Sequence, residues 1–161
     1  LPLFYNHLNT GRPDPDSHIF NRYASNYLDE SNEPLYPFGY GLSYTDFVYG
    51  ELQISSETLP KNGELTVSVT VTNKGNYDGY ETVQLYLHDI YAEIARPVKE
   101  LKGFERVFLK SGESRDVKFV ITEDDLKFYN SELHYVYEPG EFDVMVGPNS
   151  RDVQTKSFQA K

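Results

Sequence analysis

The chain has 161 residues, a formal net charge of −10 and no Cys. This length is typical of one domain with a hydrophobic core that needs no cross-links. The absence of Cys excludes a disulfide scaffold and thiol chemistry, and the acidic balance argues against nucleic acid or an anionic membrane as partner. No apolar run in the sequence approaches the ~20 residues of a membrane span.

The chain begins with Leu1, its only Met is Met145, and the sequence contains no signal-peptide pattern. We therefore expect it to be a piece of a longer polypeptide, whose function is not contained in this piece alone.

Residues 1–46 differ in composition from the rest, with five Pro, six of the 14 Tyr and no Lys. They show no sustained helical or strand periodicity, and each Pro pushes the residue before it toward extended or turn conformations. Their aromatic content is unlike that of disordered segments. The pattern predicts an ordered, irregular strap, packed either on the domain that follows or on a neighbouring domain.

From residue 47 onward, apolar and polar residues alternate. In the clearest case Leu65, Val67, Val69 and Val71 share one face of a strand. Turn sequences such as Asn62-Gly63 separate the runs. The predicted strands are 47–54, 64–72, 80–88, 98–108, 115–121, 141–147 and 153–159, with 133–137 as an extra strand or extension. The pattern is typical of an all-β, seven-stranded immunoglobulin or fibronectin type III-like β-sandwich with polar outer faces.

One helical turn is predicted over residues 123–127, where Thr122 and Asp125 have the spacing of a capping box. The acidic clusters lie in polar, turn-like contexts, which favours structural over catalytic roles. The four His lack the spacing of metal ligands. We predict no catalytic residue, no cofactor and no metal among these groups, which are Asp14 with Asp16, Asp29 with Glu30, Glu123 to Asp125, His7, His18, His88 and His134.

The most unusual segment is the aromatic block 36–44, whose sequence is Y-P-F-G-Y-G-L-S-Y. Aromatic rings separated by glycines suit close packing at a domain junction, and the alternative is contact with a sugar ring. Packing is the favoured interpretation. The candidate packing residues are Tyr36, Phe38, Gly39, Tyr40, Gly41 and Tyr44.

This block, together with residues 5–13, 96–104, 109–113 and 138–140, resembles the C-terminal region of family 3 glycoside hydrolases, in particular bacterial periplasmic β-glucosidases. The resemblance implies a retaining, exo-acting multidomain enzyme with an Asp nucleophile and a Glu acid/base in two preceding domains. Those domains have no counterpart here, so no catalytic residue carries over. Residues 1–46 would lead out of the second domain, and residues 47–161 would form the closing sandwich.

The function that the resemblance implies is an accessory domain that packs on catalytic domains of the same chain. A β-linked gluco-oligosaccharide would be met only through the parent enzyme, which would lie in the periplasm or outside the cell. Xyloside specificity and a parent homodimer are open alternatives. The sandwich could also bind carbohydrate through Tyr77, Tyr80, Tyr86 or Tyr91, or associate through an edge strand. Finally, the loop 89–97 could reach an active-site rim through Tyr91 and Arg96.

Overall fold

The structure is a computed structural model and describes residues 4–9, 12, 27 and 31–161. The predicted turn at Asp14 and Asp16, the pair Asp29 and Glu30, and His18 lie outside the described residues. In chain order the elements are β1 (Phe47–Tyr49), β2 (Gln53–Ile54), β3 (Thr58–Leu59), β4 (Leu65–Asn73), β5 (Gly79–Asp89), β6 (Glu100–Leu109), β7 (Ser114–Ile121), α1 (Glu123–Leu126), β8 (Phe128–Tyr129), β9 (Tyr135–Val136), β10 (Gly140–Gly147) and β11 (Gln154–Ala160).

Two sheets form the β-sandwich. In the first, β4 is central and pairs antiparallel with β7 along one edge and with β1 and β2 along the other. In the second, the strand order is β3-β11-β10-β5-β6, and only the short β3–β11 pairing is parallel. The predicted all-β sandwich is confirmed, although the strand segments are more numerous than the seven predicted.

The predicted strand 47–54 is interrupted after Tyr49, so it forms two short strands. At the interruption the side chain of Gln154, from the opposite sheet, replaces the missing backbone partners. The N–H of Leu52 donates to Gln154 Oε1 at 3.0 Å, and Gln154 Nε2 donates to the carbonyl of Gly50 at 2.6 Å. Gln154 thus keeps these two backbone groups hydrogen-bonded where the Leu52 side chain, 1% exposed, turns into the core.

The core lies between the two sheets and is built by the predicted alternation. Leu65, Val67, Val69 and Val71 of β4 all face inward and are buried. They meet the inward side chains of the second sheet, which include Val83, Leu85, Leu87, Val107, Val144 and Phe158. Each such side chain contributes roughly 1.5–3 kcal/mol on burial.

The predicted capping interaction at the single helical turn is present. The N–H of Thr122 donates to Asp125 Oδ2 at 2.8 Å, and the Thr122 hydroxyl lies 3.0 Å from the same oxygen. The extra strand predicted at 133–137 is reduced to β9, which pairs only with β8 in a separate small hairpin.

The two outward faces of the sandwich differ, which corrects the prediction of polar outer faces. The outward positions of β4 are Thr66, Ser68, Thr70 and Thr72, as expected for a solvated face. On β5, however, the outward-facing Gln84 and Tyr86 are buried. Tyr86 is 0% exposed, so the suggestion that it stacks on a polysaccharide is wrong.

Candidate interdomain surface

The strap covers part of the outward face of β5 with aromatic side chains. The ring of Tyr5 stacks on Phe38 with a centroid separation of 4.2 Å and an interplanar angle of 21°. The edge of the same ring meets Tyr86 at 5.7 Å. The carbonyl of Phe38 accepts a hydrogen bond from the N–H of Ser150 at 2.9 Å. These contacts exclude water from a sheet face that its sequence pattern would leave solvated.

The side chain of Gln84 makes three hydrogen bonds, and one of them joins the strap to the sheet. Its Nε2 donates to the carbonyl of Gly39 at 3.2 Å and to that of Pro148 at 2.6 Å. Its Oε1 accepts from the Tyr86 hydroxyl at 2.5 Å. Burial, and secondarily the nearby Tyr5, raises the pKa of Tyr86, so its hydroxyl keeps the proton that it donates. Sequence reasoning missed Gln84 because it looks like any polar residue on a half-exposed strand.

The two glycines of the aromatic block have different roles. Gly39 has φ +78°, and a β-carbon built there would lie 2.0 Å from Gln84 Oε1. Gly39 therefore approaches the sandwich of the same chain closely, and its packing at a domain junction stays a prediction. At Gly41 an added β-carbon would meet nothing within 4 Å. Gly41 is thus not required for packing against the described residues.

The other aromatic side chains of the block remain exposed. The rings of Tyr36 and Tyr40 lie 5.3 Å apart at an angle of 38°, and both face outward with Tyr44. Leu35 and Leu42 are also exposed, at 82% and 88%. Among the described residues of the strap, Tyr5, Phe38 and Gly39 thus contact the sandwich, whereas Leu35, Tyr36, Tyr40, Leu42 and Tyr44 are exposed.

The end of the strap is held by Asn73, a buried residue that sequence analysis placed only in a turn. Asn73 Oδ1 accepts from the Thr45 hydroxyl at 2.6 Å and from the N–H of Gly75 at 3.1 Å. Its Nδ2 donates to the carbonyls of Tyr77 at 2.8 Å and Leu109 at 3.1 Å. The side chain is fully hydrogen-bonded, so the strap enters β1 in one conformation.

The loop 89–97 is pinned to the sandwich by Arg96. Its guanidinium lies 3.3 Å from a carboxylate oxygen of Asp89 and 3.2 Å from one of Glu100. The same group stacks over the Phe128 ring at 4.4 Å. Tyr91, by contrast, projects from the loop and is exposed. A role for these two residues at an active-site rim stays a prediction, in which Tyr91 supplies the contact and Arg96 positions the loop.

The charges around Arg96 shift the two acidic pKa values in opposite directions. Burial raises the pKa of the Asp89 carboxyl, and the attraction of Arg96 offsets this only in part. Burial also acts on Glu100, but the ammonium of Lys102, 2.9 Å away, and Arg96 outweigh it and lower the pKa of that carboxyl. The cluster is a structural ion-pair network rather than a set of groups that converge on an open cavity.

The first described residues of the strap run beside the same loop. The N–H of Val98 donates to the carbonyl of His7 at 2.9 Å, and Leu8 forms an isolated β-bridge with Pro97. Within residues 4–9, 12, 27 and 31–161, no three His, Asp or Glu side chains are placed to hold a metal ion, and no helix is long and apolar enough to cross a membrane.

Residues 81–150 match the family model of the fibronectin type III-like domain. The periplasmic β-glucosidase of Salmonella typhimurium is 49% identical over 160 residues, which are 99% of this chain and 21% of that protein. A β-xylosidase of Formosa agariphila is 44% identical over 137 residues, which are 84% of this chain and 19% of that protein.

Among solved structures, the β-glucosidase of Listeria innocua in complex with gluconolactone is similar, with 46% identity and a TM-score of 0.89. The alignment covers 99% of this chain and 22% of that chain. The chain thus spans about a fifth of the length of the relatives that it matches.

Proposed function

We propose that this chain, a fibronectin type III-like domain of the kind found in family 3 β-glucosidases, is the accessory domain of a larger β-glycosidase and packs on that enzyme's catalytic domains. The observation that carries the proposal is the one-sided docking of the strap. Tyr5, Phe38 and Gly39 seat it on the sandwich, while Tyr36, Tyr40 and other apolar side chains face outward.

An outward row of apolar side chains is costly for an isolated domain. Contiguous exposed apolar patches larger than a few hundred Å² are rare on soluble monomers and mark interaction sites. In this chain the row belongs to a segment that hydrogen bonds hold at the Gly39 carbonyl and at the Thr45 hydroxyl. A rigid apolar surface of this kind suits a permanent partner, because neither side loses much conformational freedom on docking.

In this proposal the reaction belongs to the parent enzyme. A retaining β-glycosidase needs two carboxyl groups about 5–5.5 Å apart, one as nucleophile and one as acid/base. The sandwich would supply neither and would stabilise the domains that do. We propose a β-linked gluco-oligosaccharide as the parent's substrate, with a xyloside as the alternative that the Formosa agariphila relative suggests. The periplasm or cell exterior is the proposed location, by analogy with the Salmonella typhimurium relative.

The division into a strap at 1–46 and a sandwich at 47–161 is part of the same proposal. It is supported by the start of the first strand at Phe47 and by the irregular backbone of residues 31–46. A homodimer of the parent is a further proposal, for which the light-scattering mass of the parent with and without residues 47–161 is the measurement.

The central test compares three preparations in an aryl β-glucoside assay: this 161-residue chain, the longer polypeptide, and the longer polypeptide without residues 47–161. We expect turnover by the longer polypeptide and none by the chain alone. We also expect a lower thermal midpoint when the sandwich is deleted. Turnover by the isolated chain above a boiled control would contradict the proposal. Calorimetric binding of a β-glucan to the isolated chain would favour the carbohydrate-binding alternative.

A further inference from the structure

A second aromatic surface lies beside the strap, on the outward face of β5 and β6. The register of these strands places Tyr80 opposite Phe108, Thr82 opposite Arg106, and Gln84 opposite Phe104. Tyr80 and Phe104 are 52% and 68% exposed, and the Tyr80 and Phe108 rings lie 5.0 Å apart. We call Tyr80, Phe104, Arg106 and Phe108 the aromatic sheet face.

The opposite side of the sandwich shows that this composition is not a general property of the fold. There the outward positions of β4 are Thr and Ser, and those of β7 include Asp116 and Lys118. Thr70 donates to Asp116 at 2.6 Å, which is how polar residues pair on a solvated sheet. The outward face of one sheet is therefore polar, whereas that of the other carries three large aromatic side chains that none of the described residues covers fully.

The aromatic sheet face is continuous with the docked strap. Gly39 sits directly on Gln84, and Gln84 is the cross-strand neighbour of Phe104. Directly opposed side chains on a sheet lie about 5 Å apart at their β-carbons. The strap and the aromatic sheet face thus adjoin each other at Gln84.

We propose that the aromatic sheet face docks on a folded protein surface in the remainder of the same longer polypeptide, and that this surface presents apolar side chains with a carboxylate opposite Arg106. The inference rests on the proposed function, because it takes the parent enzyme as the partner. The proposed interface therefore extends from the strap to the outward face of β5 and β6, which carries none of the residues predicted for packing.

The geometry of the rings favours a protein surface over a glycan. Binding of an extended polysaccharide requires several coplanar exposed rings, whereas the Tyr80 and Phe108 planes meet at 57°. In addition, the Arg106 guanidinium lies 3.9 Å from the Tyr80 ring centre and occupies the ring face that a sugar would need. Aromatic side chains and Arg, the residue types of this face, are enriched in protein–protein interfaces.

The charge of Arg106 and the length of the relatives favour the same occupant. Among the described residues Arg106 makes no ion pair, and its contact is the Tyr80 ring. A carboxylate on the partner would complete it. A second copy of this chain is disfavoured by a net charge of −10 on each copy. About four-fifths of the length of the relatives lies outside the matched segment, which leaves ample protein to supply the surface.

The chain contains no Cys, so a single introduced thiol reports directly on access to this face. The test variant is Phe104→Cys. The matched control is Val120→Cys, on the polar side of the sandwich, where Val120 is 53% exposed. Each is prepared in the isolated chain and in the longer polypeptide. The rate of alkylation by iodoacetamide is measured, with the unsubstituted protein as blank and circular dichroism as the check of folding.

We expect both thiols to react at similar rates in the isolated chain. In the longer polypeptide we expect the thiol at position 104 to react at about one tenth of that rate or slower, because it reacts only when the interface opens. The reaction rate of the control thiol should be the same in both proteins. Equal reactivity at position 104 in both proteins would overturn the inference. So would protection in the isolated chain that grows with protein concentration, which indicates a second copy, or protection by a soluble β-glucan.

The aryl β-glucoside assay separates the two levels of the argument. If the longer polypeptide hydrolyses the substrate while the thiol at position 104 stays reactive, the aromatic sheet face is not an interface and the proposed function stands. If the longer polypeptide has no glycosidase activity, the proposed function fails whatever the thiol shows.

Discussion

Gly39 and Gln84 are in direct contact, and this contact determines where the strap lies on the sheet. Gln84 Nε2 donates to the Gly39 carbonyl at 3.2 Å, and the glycine has φ +78° with no room for a β-carbon above the amide. The two residues are 45 positions apart in the chain, one in a turn-like segment and one in the middle of a strand. Their contact is close enough that one added methyl group at Gly39 would clash with Gln84.

Gly39→Ala is expected to lift the strap from the sheet. The added methyl group meets the Gln84 amide, and the left-handed backbone adds strain of about 1 kcal/mol or more. We expect a lower free energy of unfolding and faster proteolysis between residues 36 and 46. The matched control is Gly41→Ala, where the methyl group enters open space. Equal effects of the two substitutions would show that Gly39 does not hold the strap.

Glu81 should make the sandwich less stable as pH rises. It faces Tyr49 of the opposite sheet, whose hydroxyl donates to Glu81 Oε1 at 2.7 Å. Burial raises the pKa of this carboxyl above its ordinary value of 4.5, and the hydrogen bonds from Tyr49 and the Thr82 backbone oppose the shift only in part. The folded state therefore binds the proton more tightly than the unfolded state. The stability that this bound proton contributes is fully present below pH 4.5, and it is lost as the pH rises through the pKa of Glu81 in the folded state.

Glu81→Gln tests this linkage, because an amide oxygen still accepts from Tyr49 but cannot ionise. We expect the variant to be more stable than the unsubstituted chain at pH 7 and to show a smaller decline in stability above pH 4.5, because only the contribution of Glu81 is removed. Urea unfolding followed across pH is the measurement. Glu64→Gln, which removes one carboxylate at an exposed position, is the control for the change in net charge. A parallel profile for the Glu81→Gln variant would contradict the argument.

Arg96→Met should destabilise the chain strongly, because it leaves the carboxylate of Asp89 buried without its cation. The side chains of Arg96 and Asp89 are 9% and 4% exposed. Removal of one partner from such a pair costs about 3–5 kcal/mol. The double variant with Asp89→Asn should recover much of the loss, since the second charge is then gone. Tyr91→Ala, which removes an exposed ring from the same loop, should change the thermal midpoint little.

Thermal unfolding of the unsubstituted chain, the Arg96→Met and Asp89→Asn single variants and the double variant forms a double-mutant cycle. Additive effects of Arg96→Met and Asp89→Asn would show that the two residues do not act as a pair. In the longer polypeptide, Tyr91→Ala alone should alter the kinetics toward an aryl β-glucoside if the loop reaches the active-site rim. Unchanged KM and kcat would exclude that role for Tyr91.

Val69→Asp should unfold the sandwich, because it places an unpaired charge among the inward residues of β4, where Val69 is 2% exposed. Ser68→Asp, one residue earlier, points outward and faces Lys118 across the sheet. It should be tolerated within about 0.5 kcal/mol. Loss of the cooperative melting transition in the first variant and its retention in the second would verify which face of β4 is buried.

Most of the sandwich could be predicted because each long strand carries its own evidence. The alternation in β4, β7 and β10 places one set of side chains inward whatever the partner strands are. The interruption at Gly50–Leu52 could not be predicted, because it depends on Gln154, about a hundred residues away. The short β3 was missed for a similar reason, since two residues carry no periodicity of their own.

Of the candidate surface, the sequence by itself determined its aromatic composition and the glycine on which its docking depends. It also determined which side of each strand faces the core, because successive side chains along a strand must alternate. Only the tertiary structure decided which outward residues meet water. Gln84 and Tyr86 alternate with core residues just as Ser68 and Thr70 do, yet a distant segment buries the first pair, whereas Ser68 stays half-buried and Thr70 exposed. Local periodicity contains no information about that cover, since it depends on contacts between residues far apart in the chain.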